Sequence, residues 1–162
     1  MSAPFVIAPA GPEDLAAVAD LIEAYGAALG VDLRFQGFAQ DLAELPGVYA
    51  PERGGALLIA RASGAQRAPL GCVALRALAA PDICEMKRMY VAPQARGLGL
   101  GRALANAILA AARDLRYREI RLDTLPHLHE AIALYRDLGF AATPRYNDNP
   151  VPGVLWLART LE

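Results

Sequence analysis

The stretch from Ile83 to Asp123 constrains the fold of this chain more than any other. Ile83–Val91 has the apolar content of a strand and ends in a bend at Pro93. Glycines at 97, 99 and 101 then punctuate a turn. After the turn, Leu100, Leu104, Ala107, Ile108, Ala111 and Leu115 recur at helical spacing, which predicts a long amphipathic helix. Glu119–Asp123 alternates Ile120 and Leu122 with charged residues, a strand pattern. Strand, long helix and strand in that order predict a parallel crossover. Glycine lets a ligand approach the backbone of the turn, and the free amides of a helix start favour a pyrophosphate there. Arg96 and Arg102 add positive charge on either side.

The remaining chain fits around this unit. Phe5–Ile7 is a short strand that stops at Pro9, and Gly11-Pro12-Glu13-Asp14 opens a helix with Leu15, Val18, Ile22 and Tyr25 on one face. A second helix is predicted over about Leu33 to Leu45. Ala56–Ala60 and Leu70–Leu78 read as two strands joined through the Ser63-Gly64 turn. Pro126–Leu138 reads as a helix stopped by Gly139, and Phe140–Ala142 and Val154–Ala158 read as closing strands. The expected architecture is an α/β (α+β) fold with a mixed sheet, antiparallel at first. No repeat or linker divides the 162 residues, so one domain is expected.

Composition narrows the function. A hydrophobic share of 55% supplies a real core, and a net charge of -1 offers no basic field for nucleic acid or an anionic membrane. The two cysteines, Cys72 and Cys84, make neither a disulfide framework nor zinc spacing. Met1–Ala10 lacks the basic start of a signal peptide, and no apolar run reaches the roughly 20 residues of a membrane span. A cytoplasmic protein is expected. His127 and His129 lie two apart at a predicted helix start and face different ways, so no metal site is expected.

Three phosphate motifs compete for the glycine turn. In the dinucleotide fingerprint the third glycine stands one residue later than Gly101, and the P-loop ending of Gly-Lys-Ser/Thr is absent. The pattern met by Gln94, Gly97 and Gly99 resembles motif A of the GCN5-related N-acetyltransferases (GNAT). Leu134-Tyr135-Arg136-Asp137-Leu138-Gly139-Phe140 resembles a second segment of the same family, and Asn147–Gly153 is similar to a loop in one bacterial branch. Without a ligand, the glycines would make only a flexible turn.

The resemblance implies the GNAT acyl-CoA N-acyltransferase fold, a seven-stranded mixed sheet flanked by about four helices. It also implies acetyl-CoA as cosubstrate and direct attack by an amine. By motif, Met89, Tyr90 and Val91 would line the pantetheine arm and acetyl group. Gln94, Arg96, Gly97, Leu98, Gly99, Gly101 and Arg102 would surround the pyrophosphate. Tyr135 would donate to the departing sulfur, although it also fits the apolar stripe of its helix. Glu85 would take the amine proton, or else only neutralise Lys87, the sole lysine of the chain. Period two places Glu85, Lys87 and Met89 on one strand face. The loop carrying Arg34 and Phe35 would wall the acceptor pocket, with Tyr146–Pro152 forming a second wall. Arg34, Lys87 and Arg88 would meet an acceptor carboxylate. A small primary amine is the expected acceptor. The alternatives are a protein or peptide amine and a non-catalytic acyl-CoA-binding module. Family members pair into homodimers through sheet edges, and nothing in this sequence forbids it.

Overall fold

The computed structural model describes residues 4–30 and 37–162. Seven strands form one sheet: β1 (Phe5–Pro9), β2 (Ala56–Ala62), β3 (Pro69–Ala77), β4 (Ile83–Val91), β5 (Glu119–Thr124), β6 (Ala141–Ala142) and β7 (Leu155–Thr160). Their spatial order is β1-β2-β3-β4-β5-β7-β6. Every neighbouring pair is antiparallel except β4 with β5. Among the described residues, four α-helices accompany the sheet: α1 (Leu15–Leu29), α2 (Phe38–Glu44), α3 (Leu100–Asp114) and α4 (His129–Asp137). α3 is the crossover between the parallel strands.

The apolar run of β2 follows from burial on both faces. Leu57 and Ile59 face one way and pack with Val18 and Ile22 of α1. Leu58 and Ala60 face the other and pack with Leu104 and Ile108 of α3. The sheet therefore sits between two apolar layers. In α3, Leu100, Leu104, Ile108 and Ala112 recur every four residues and form the buried stripe. Leu115, expected on that stripe, caps the helix and is 37% exposed.

Several element bounds move for local reasons. Pro12–Asp14 forms a single 3-10 turn ahead of α1. Asp14 there accepts from the Gly11 N–H and from Arg61 of β2, so it ties the turn to the sheet. α2 begins at Phe38, after Gly37 in the left-handed region; residues 33–36 of the predicted helix lie outside the described residues. α4 begins at His129 because Leu125–Leu128 closes a turn first. Gly139, at φ +92, ends it as expected.

Two irregularities in β4 shape its surroundings. Its ladder with β5 covers only Ile83–Glu85 against Glu119–Arg121. Beyond that point the strands diverge and leave a gap. On the other edge, Lys87 pairs with Ala74 and Tyr90 pairs with Cys72. Arg88 and Met89 thus stand opposite Val73 alone, a β-bulge with Arg88 at φ +56.

Candidate active site

The gap between β4 and β5 opens into a cavity of about 430 Å³. Met86 and Met89 of β4, Leu122 and Thr124 of β5, Tyr25 of α1 and Tyr135 of α4 are among its walls. The glycine turn lies at one end, where Arg96 reaches the lining. Gly97 and Gly99 adopt φ +82 and +79, and a Cβ at either would meet no atom within 4 Å. Their backbone faces open space, and the conformation itself selects glycine. Gly101 differs: it lies inside α3 and a Cβ there would make ordinary contacts with Leu134 and Val91. Gln94 and Leu98 are exposed on the turn. Arg102, at the start of α3, pairs at 2.7 Å with Asp137 of α4 on the surface. The turn and the start of α3 together present backbone donors at the mouth of a narrow apolar gap.

Tyr135 is buried, with its ring edge-on to Phe140 at 5.8 Å between centroids. Its hydroxyl makes no hydrogen bond among the described residues. Burial raises its pKa above the ordinary 10, and the nearby Tyr25 adds to the rise. The phenol is therefore a protonated donor whose O–H is uncommitted within the described protein.

A second cavity, about 450 Å³, adjoins the first, and Lys87 and Asn149 line both. Glu85 lines the second one and is 3% exposed. It is therefore not a solvated charge on an exposed sheet. Tyr146 donates its O–H to Glu85 Oε2 at 2.6 Å, and Lys87 Nζ lies 3.9 Å from Oε1. Burial lowers the pKa of Lys87, and Glu85 opposes that shift. Burial raises the pKa of Tyr146, and the Glu85 charge raises it further.

The bulge corrects the expected facing of β4. Glu85 and Lys87 share the α1 face, but the extra residue turns Met89 to the α3 side, where it packs against the core. Period two fails because it presumes an unbroken ladder. Arg88 also departs from expectation. Its guanidinium is buried, donates to Asp41 at 2.8 Å and stacks on Phe38 at 5.1 Å. Tyr49 donates to the same Asp41 oxygen. Arg88 thus fastens the bulge to α2 and is not available to an acceptor. Arg34 and Phe35 lie outside the described residues. His127 and His129 are both exposed.

The loop Tyr146–Pro152 is wired to β5. Asn147 and Asn149 donate to Asp123 Oδ2 at 2.8 and 3.1 Å, and Trp156 of β7 donates to Asn147 at 2.9 Å. Asp123 and Tyr25 escape sequence reasoning as site residues, and Tyr146, expected in a pocket wall, escapes it as the partner of Glu85. Asp123 shows only the alternation of an ordinary strand, and nothing near Tyr146 announces Glu85, 61 residues away.

The fold is that of acyl-CoA N-acyltransferases. A protein of Klebsiella pneumoniae assigned to that class superposes with a TM-score of 0.73 at 27% identity, covering 99% of this chain and 100% of its own. An acetyltransferase of Salmonella typhimurium, solved with acetyl-CoA, superposes at 0.74 over 98% of this chain and 95% of its own, with 20% identity. An uncharacterised N-acetyltransferase of Schizosaccharomyces pombe is 39% identical over 146 residues, 90% of this chain and 88% of the relative. The model of the acetyltransferase (GNAT) family matches residues 21–140. The chain belongs to that family and is an N-acetyltransferase. Among the described residues, no helix is long and apolar enough to cross a membrane.

Proposed function

We propose that this N-acetyltransferase acts on a primary amine of a small molecule, in one domain, by direct attack within a ternary complex. The observation that carries this reading is the pair of adjoining cavities, one holding Tyr135 and the other Glu85, with Lys87 and Asn149 as their common wall. The first cavity suits a long thin arm. The glycine turn, from Gln94 through Arg96, Gly97, Leu98 and Gly99 to Gly101 and Arg102, suits its diphosphate. Backbone groups of Met89, Tyr90 and Val91 border the acetyl end. The second cavity has the volume of a small-ligand pocket, which runs from about 300 to 1,000 Å³.

The residues then divide the proton work. An alkyl ammonium, with a pKa near about 10, sheds a proton before it can attack. Glu85 accepts that proton, held in place by the Tyr146 O–H. The amine nitrogen bonds to the thioester carbonyl carbon and gives up its second proton to water, and the carbon–sulfur bond breaks. Tyr135 donates a hydrogen bond to the sulfur as negative charge gathers there. Full proton transfer is uphill, because a thiol has a pKa of about 8.5 and the buried phenol lies above 10. The departing thiolate takes its proton from solvent. Neither cysteine takes part: burial pushes both thiols up to about 12, so they stay unionised.

Thiol release from acetyl-CoA, measured against small primary amines and against a peptide with a free N-terminus and a lysine, tests the reading. Saturable turnover of a small amine is expected. Turnover of the peptide alone would overturn the small-molecule acceptor, and coenzyme A release without any acetylated amine would overturn the transfer.

A further inference from the structure

Beyond α1, the sheet face opposite α3 carries a patch of charge. Arg76 of β3 and Arg121 of β5 pair in register with Glu85 of β4 from its two sides, and Lys87 follows two residues on. All four side chains line the second cavity, which Tyr146 and the residues after it close from above.

These charges do not cancel. Arg121 is held by Glu119 and lies 5.5 Å over the Tyr146 ring. Glu85 spends one oxygen on Tyr146 and turns the other toward Lys87 at 3.9 Å. Arg76 has no such partner: its Nε is shut off from solvent and finds no acceptor among the described residues. Within the second cavity Glu85 is thus the one buried carboxylate beside Lys87 and Arg76; Asp123, on the wall of the first cavity, also acts on Lys87, and neither carboxylate pairs with Arg76. Asp148 stands at the rim, fully exposed, where water screens it.

A buried donor without an acceptor is costly, and an arginine edge offers a planar fork that matches a carboxylate. We infer that the second cavity grips its acceptor by a carboxylate: the substrate is an amine of the amino-acid class, its carboxylate held by Arg76 and Lys87 and its nitrogen turned toward Glu85. This rests on the small-amine reading above and names the chemistry of that same pocket. Arg76 takes the place that the sequence assigned to Arg88, which Asp41 already holds. Lys87 keeps its assigned part.

The test compares amino acids with their own primary amides, which keep the amine and the size but lose the charge. Transfer is followed by thiol release, and binding by the rise in melting temperature in the presence of coenzyme A. For the best amino acid, kcat/KM is expected to exceed that of its amide by roughly 10- to 100-fold, the worth of a hydrogen-bonded charge. In Arg76→Gln that ratio falls to within about threefold of unity, and in Arg76→Lys, which keeps charge without the fork, it falls between. Amides acetylated as well as acids, or a ratio unchanged in both variants, would overturn the inference and leave the acetyltransferase reading intact. If neither acids nor amides were acetylated, the amino-acid class would be overturned as substrate, and the small-amine reading would fail with it only if no other small primary amine were acetylated. The melting shifts would then decide the carboxylate: a rise with acids alone supports it, and equal shifts with acids and amides overturn it.

Discussion

Replacing Tyr135 with phenylalanine separates the two roles this residue can play. The ring is 5% exposed and rests edge-on against Phe140. Phenylalanine keeps that contact and removes only a hydroxyl with no protein partner among the described residues. Losing an unpaired hydroxyl that opens on the first cavity changes stability by about 1 kcal/mol at most, in either direction. For a chain of this length that shifts Tm by less than about 4 °C. The effect on catalysis is larger. Positioned acids and bases contribute typically about 10²–10⁴-fold. Tyr135 belongs at the low end, because its raised pKa limits it to hydrogen bonding. A drop in kcat of about 100-fold, roughly 2.8 kcal/mol of barrier, is expected, with KM for acetyl-CoA little changed. Steady-state thiol release and a circular-dichroism melt read both quantities on one preparation. A kcat within about threefold of wild type would refute the donor role. A large fall in Tm with activity lost in proportion would instead leave only a packing role.

Three further outcomes follow from particular contacts. Asp41→Ala removes the ion-pair partner of the buried Arg88 guanidinium; the partial exposure of Asp41, 20%, places the loss at about 2–3 kcal/mol, so thermal melting should fall by roughly 5–10 °C. The two glycines of the turn should respond with opposite signs in urea unfolding. Gly99→Ala puts a side chain at φ +79 and costs about 1–2 kcal/mol, whereas Gly101→Ala, inside α3, gains about 0.5–1 kcal/mol. Asp14 is held below its ordinary 3.8 by the Gly11 N–H and then by Arg61. Its stabilisation is complete above that value and is lost as pH falls through the lower folded value. The urea-midpoint difference between wild type and Asp14→Asn should therefore be widest near neutrality and narrow below about pH 4.

The layered fold could be read from the sequence because its signals are local. Periodicity of 3.6 marked α1 and α3, and alternation marked β5. The apolar run of β2 betrayed a strand buried on both faces. The glycine turn and Tyr135 stood out as candidates for a different reason: each lies within a short contiguous motif. What escaped comes from register and from long separations. Tyr146 meets Glu85 across 61 residues, and Arg88 meets Asp41 across 47. No window of sequence contains both partners of either pair. Arg76 looked like any polar residue near a strand end, and only the lack of an acceptor for its Nε sets it apart.

The bulge at Arg88 explains why a chain would bury an arginine at positive φ beside the first cavity. An unbroken β4 would continue period two and keep Met89 on the face of Glu85 and Lys87. The added residue returns Met89 to the α3 layer, while Lys87 and Arg88 both remain on the α1 side. One cation then faces the second cavity, and the other is fixed to Asp41 beneath α2. Left-handed backbone is unfavourable for arginine by about 1–2 kcal/mol. The ion pair with Asp41 and the stacking on Phe38 offset that cost only while α2 is docked. The shape of the strand beside the first cavity thus depends on a helix 47 residues earlier in the chain. Asp41→Ala should accordingly lower kcat as well as Tm, although Asp41 lines neither cavity. An Asp41→Ala enzyme that melts early but turns over normally at low temperature would show that the bulge holds without its anchor.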